Sequence, residues 1–158
     1  MQAFFLSWMQ RWPTLAALAV ATTEEVNAAW AGLGYYRRAR FLLEGARYAA
    51  ANTGGQLPST SAALLKVPGI GPYTAASVSS IAFGEACAAV DGNVSRVVSR
   101  LHACRQAEPA KAAAVREMQA AATALLEPSR PGDWNQAMMA SLPALCTCVR
   151  SHASSRRS

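Results

Sequence analysis

The sequence predicts an all-α domain. Alanine, the strongest helix former, is abundant along the 158 residues. Runs of β-branched and aromatic residues, the mark of strands, are sparse. Apolar residues recur at helical spacing rather than in alternation, as in Phe4, Phe5, Trp8, Met9 and Trp12. The length is enough for one domain with a real core.

The elements follow in order. The first helix carries the aromatic stripe and stops at Pro13. "TLAALAVA" reads as a short second helix. "TTEEVNAAWAGLG" opens with a threonine cap and acidic first-turn residues and ends at Gly32 and Gly34. "YYRRARFLLEGARYAAA" is a longer helix ending near Asn52–Gly55. "STSAALLKV" precedes the tight turn "VPGIGPYT", and "YTAASVSSIAFG" follows it. After a loop come "NVSRVVSRLHA", "PAKAAAVREMQAAATALL" and "PGDWNQAMMA". No internal repeat is visible. From Ser141 the helical periodicity stops and the chain turns polar and basic, so residues 141–158 are expected to form a poorly ordered tail.

The formal net charge of +6 and a pI near 9.6 suit a polyanionic partner. Arg150, Arg156 and Arg157 place half of that excess in the tail. Cys87, Cys104, Cys146 and Cys148 show no disulfide framework, which points to a reducing, intracellular compartment. No apolar run reaches the roughly 20 residues of a membrane span. Neither a basic leader nor a small-residue cleavage site marks the start, so a secretory signal is not expected.

The turn Pro68-Gly69-Ile70-Gly71 admits two readings. One is a tight helix connection without a ligand. The other is an anion site, in which glycines let a ligand approach the backbone and the N–H groups of the next helix start receive it. A DNA phosphate fits such a site without any base contact. A side chain at Gly71, as in Gly71→Val, is expected to distort the turn.

"LLKVPGIGPYTAASVSSIAFG" followed by "AVDGNVSRVVSRL" resembles the helix-hairpin-helix DNA glycosylase superfamily. Within it, the chain is similar to the adenine DNA glycosylases that remove adenine mispaired with 8-oxoguanine. "WPTLAALAVATTEEVNAAWAGLGYYRRARFLLEGA" and "RPGDWNQAMM" extend the likeness over residues 4 to 139. The resemblance implies a six-helix barrel module with part of a second helical lobe. It assigns residues 1–140 to the glycosylase core, with the hairpin at 64–84, and implies double-stranded DNA with a flipped adenine as partner. A monovalent cation at the hairpin is also expected.

The resemblance also assigns roles. Tyr73 stands where related lyases carry the Schiff-base lysine. A tyrosine forms no imine, which implies a monofunctional, hydrolytic enzyme rather than an endonuclease III-like lyase. A core aromatic on a first helical turn is the other reading of Tyr73. Asp91 in "VDGN" matches the catalytic aspartate, whose carboxylate stabilises positive charge on the sugar. By residue type alone, Asp91 or Asn93 equally suits a helix cap. Asn93 is expected to orient Asp91 or the attacking water. Tyr35 matches the tyrosine that wedges into the duplex beside a flipped base, although an aromatic at a helix start also packs on cores. Arg37, Arg38 and Arg96 are expected at the DNA backbone, although an arginine run also suits a solvated face.

The chain departs from the family's pattern in three places, one of them "ASLPALCTCVRS", which differs from the family's residues after "NQAMM" while Cys146 keeps its position. The general-acid glutamate of the family falls upstream of the matched segment, and Glu24 and Glu25 read as first-turn residues. The family binds a [4Fe-4S] cluster through four cysteines. Cys146 matches the first, Ala153 and Arg156 stand at the next two positions, and the chain ends before the fourth. A cluster is therefore not expected here. The leading reading is an adenine DNA glycosylase core with impaired activity; the alternative is a helix-hairpin-helix DNA-binding module without catalysis.

Overall fold

Short amphipathic segments punctuated by Pro and Gly produce a chain of helices. The computed structural model describes residues 2–101 and 112–140. Nine helices occur among them: α1 Gln2–Arg11, α2 Leu15–Ala19, α3 Thr23–Ala29, α4 Tyr36–Asn52, α5 Ser61–Leu64, α6 Pro72–Phe83, α7 Gly92–Leu101, α8 Ala112–Leu125 and α9 Pro131–Ala140. No strand occurs among the described residues, as the sequence led us to expect. Residues 141–158, the expected tail, lie outside the described residues. The chain divides between Gly71 and Pro72 into two compact units.

In the first unit, threonines start the helices. Thr14 accepts from the Ala17 N–H at 3.1 Å. Thr22 accepts from the Glu25 N–H at 3.2 Å, while the Glu25 carboxylate accepts from the Thr22 N–H at 2.9 Å. This reciprocal box satisfies two N–H groups that the helix cannot satisfy itself. Trp12, Leu18, Ala21, Val26, Ala39, Leu43 and Ala46 form the core. Trp8 meets Trp12 and Trp30 edge-on, with ring centroids 4.7 and 5.4 Å away. Helix α4 packs on α2 and α3. Arg47 on α4 donates to the carbonyls of Ala19 and Ala21 at 3.2 and 2.9 Å, tying down the end of α2.

In the second unit, Ala88, Val94, Val98, Met118 and Ala122 form the core beneath α7 and α8. Helices α6 and α9 approach closely because their contact residues are small. A Cβ on Gly132 would stand 2.9 Å from the Ser80 carbonyl oxygen and 3.0 Å from the Ile81 Cα. Ala75, Ala76, Ser79 and Ser80 bury the facing side of α6.

The Thr22 backbone and hydroxyl hydrogen bonds hold the Glu25 carboxyl below its ordinary value of 4.5. A lowered pKa in the folded state gives stability that is present above the unfolded value and lost as pH falls through the folded one. Carbon-detected NMR titration should therefore place the Glu25 midpoint below 4.5 and should move it upward in Thr22→Ala.

Candidate functional site

The hairpin turn takes its shape from Pro68 and Gly69. The Ile70 N–H donates to the Val67 carbonyl at 3.2 Å, and Gly69 has φ +82°. Proline at the second position and a positive-φ glycine at the third define a type II turn. A Cβ on Gly69 would lie 2.4 Å from the Phe41 Cβ and 2.6 Å from its Cγ, so Gly69 is fixed by space as well as by φ. Gly71 differs. It has no positive φ, and an added Cβ meets nothing within 4 Å. By φ and by the room for a Cβ, the turn's demand for glycine falls on Gly69 rather than on Gly71. The Gly69 and Gly71 N–H groups have no backbone acceptor among the described residues, and both residues are exposed. The turn thus presents bare donors of the kind an anion takes.

Tyr35 is the described non-glycine residue with positive φ, at φ 51° and ψ 52°. That conformation costs of order 1–3 kcal/mol and persists where its surroundings impose it. Gly34, with φ +68°, precedes it, and the Trp30 indole N–H donates to the Gly34 carbonyl at 2.9 Å. Trp30 is itself packed against the core, so the core fixes the turn that throws Tyr35 outward. The tyrosine is 80% exposed and the Arg38 guanidinium lies 5.1 Å from its ring centroid. Arg37 and Arg40 lie 5.7 and 5.5 Å from the centroid of the Phe41 ring.

In the second unit, Asp91 caps α7. Its Oδ1 accepts from the N–H groups of Asn93 and Val94 at 2.8 and 2.7 Å. The cap reading is thereby realised, and it leaves Oδ2 without a hydrogen bond among the described residues. Asn93 meets Asp91 through its backbone; its side-chain oxygen accepts from Arg96 at 3.0 Å. Tyr73 stands in the first turn of α6, and its hydroxyl contacts the Met139 sulfur at 2.8 Å.

Among the described residues, no group of three or more His, Cys, Asp or Glu gathers to hold a metal. Cys87 is engaged with the Ser79 hydroxyl at 3.1 Å. Cys104, Cys146 and Cys148 lie outside the described residues. No described helix is long and apolar enough to cross a membrane.

Residues 1–122 match the family described as HhH-GPD superfamily base excision DNA repair protein. The chain belongs to the HhH-GPD superfamily. It is 48% identical over 148 residues to the adenine DNA glycosylase of Homo sapiens, a match covering 93% of this chain and 27% of that protein. It is 45% identical over 171 residues to the adenine DNA glycosylase of Arabidopsis thaliana, covering 96% and 27%. A solved thermostable thymine-DNA glycosylase, 24% identical, superposes with a TM-score of 0.78 over 88% of this chain and 64% of that one. These matches bear out the resemblance carried by the hairpin and the "VDGN" segment.

One residue of this HhH-GPD chain escaped the sequence reading. Asn135 on α9 is fully buried. Its Oδ1 accepts from the Ala89 N–H at 2.9 Å, and its Nδ2 donates to the Ser80 hydroxyl at 2.8 Å and the Cys87 carbonyl at 3.0 Å. Gln119 donates to the Ala88 carbonyl at 2.8 Å. Together they pin the loop that leads into Asp91.

Three substitutions test this description. Asn135→Leu removes three side-chain hydrogen bonds from the interior and should destabilise the protein by about 2–4 kcal/mol in urea unfolding. Gly69→Ala should destabilise it, whereas Gly71→Ala should leave the free energy of unfolding within about 0.5 kcal/mol of the native value.

Proposed function

We propose that this chain contributes the sugar-cation-stabilising part of a monofunctional DNA glycosylase that removes adenine mispaired with 8-oxoguanine or guanine. The observation that carries this reading is the anchored carboxylate. Two backbone N–H groups hold one oxygen of Asp91, and the other oxygen has no partner among the described residues. In hydrolysis, the bond between C1′ and adenine breaks, its electron pair leaves with the base, water adds to C1′, and the proton that water loses balances the one the departing adenine gains. Positive charge develops on the sugar, and a prepositioned carboxylate stabilises it. Tyr73, a phenol, provides no amine for a lyase step.

The same reading gives the first unit the work of holding duplex DNA. The bare N–H groups of Gly69 and Gly71, shaped by Pro68 and Ile70, receive a phosphate, and Arg37 and Arg38 add charge beside the backbone. Arg96 does the same from α7. Tyr35, thrust outward and exposed, wedges into the stack and lowers the cost of flipping adenine. A monovalent cation held by turn carbonyls belongs to this reading, and so does an intracellular location with DNA.

Single-turnover release of adenine from a duplex carrying adenine opposite 8-oxoguanine tests the assignment. We expect release that Asp91→Asn abolishes. Release unchanged in Asp91→Asn removes Asp91 from the chemistry. Borohydride treatment on abasic DNA should leave no covalent adduct; a stable adduct overturns the monofunctional assignment.

A further inference from the structure

We propose that Phe41 is a positioning residue that joins the hairpin turn and two arginines of α4 into one phosphate-binding surface. The inference rests on the DNA-binding reading above and deepens it. Phe41 meets the turn through its root: an added Cβ on Gly69 would fall 2.4 Å from its Cβ, 2.6 Å from its Cγ and 3.0 Å from its Cδ1. No side chain fits between them, so the turn backbone lies directly on this residue. The ring extends past the turn toward two cations. The Arg37 guanidinium lies 5.7 Å from the ring centroid and that of Arg40 lies 5.5 Å away, both within cation–π range.

Helical geometry explains the arrangement. Arg37 and Phe41 are four residues apart and share a face of α4. Arg40 is held from its other neighbour as well, with Nε 3.4 Å from the Glu44 carboxylate. Arg37 makes no ion pair among the described residues. An exposed arginine loses rotamer freedom when it grips a phosphate. A ring that already holds the guanidinium beside the turn removes part of that loss, which is the sense in which Phe41 preorganises the surface. The alternative is that Phe41 only fills space under the turn while the arginines act independently.

The two roles separate by substitution. Phe41→Leu keeps the Cβ, Cγ and Cδ1 that seat Gly69 and removes the ring; Phe41→Tyr keeps the ring. The 158-residue polypeptide is titrated against a fluorescent duplex across a salt series, in each background with and without Arg37→Ala/Arg40→Ala. In the native background the arginine pair should steepen the fall of affinity with salt by about 2 in log–log slope. The affinity lost on removing the pair should be smaller by roughly threefold or more in Phe41→Leu, and unchanged in Phe41→Tyr. Ring-current upfield shifts of the Arg37 and Arg40 side-chain protons should be present in the native protein, whatever the variants do. Equal arginine losses in the Phe41→Leu and native backgrounds overturn the proposal, as does the absence of the ring-current shifts. If the native protein binds duplex without salt dependence, the DNA-binding reading fails and this proposal with it. That failure shows in the native titration before any substitution.

Discussion

Every helix begins with N–H groups that its own backbone cannot satisfy. In a chain of short helices this constraint recurs every few residues, and the described structure is arranged around it. Thr14, Thr22 and Thr60 meet it with hydroxyls. Asp91 meets it with a carboxylate. Proline at the start of α6 and of α9 removes a donor that has no partner there. Tyr35 meets none of it with its side chain and enters α4 in the left-handed conformation. The residues with proposed chemistry thus stand at helix starts, where polar groups are available and the backbone is already fixed. For Asp91 this joins structure and function. The hydrogen bonds that cap α7 also hold the carboxylate still, and a fixed charge is what cation stabilisation requires.

Close backbone approach is the second organising feature. Gly69 lies on Phe41, and Gly132 admits the α6 backbone at Ser80. Each contact trades side-chain volume for proximity. Where such small side chains leave buried backbone groups exposed to each other, Asn135 supplies the missing partners. Its network fixes the loop before Asp91 from behind, much as Trp30 fixes the turn before Tyr35.

Much of this was legible in the sequence because it is local. Pro13, the "TTEE" cap and the Gly32–Gly34 stop mark helix limits through neighbours a few residues away, and the helices stand where these signals put them. The cap at Asp91 was legible for the same reason. The split between Gly69 and Gly71 was not. Which glycine takes positive φ depends on the turn type, and which lacks space depends on Phe41, well upstream in the chain. Asn135 was hidden by distance, since its partners lie 46 and 55 residues away. An asparagine inside "PGDWNQAMM" gives no local sign of burial. The strain at Tyr35 was hidden as well, because it is imposed by an indole hydrogen bond that no composition rule records.

The central claim is that the Asp91 carboxylate caps α7 and also serves the sugar cation. Asp91→Ser separates these roles, because serine retains a capping oxygen and loses the charge. Thermal unfolding and single-turnover adenine release, measured together on the native protein and Asp91→Ser, test the claim directly. The account predicts an unfolding midpoint close to the native one and no adenine release. A serine variant that still releases adenine at the native rate would contradict it.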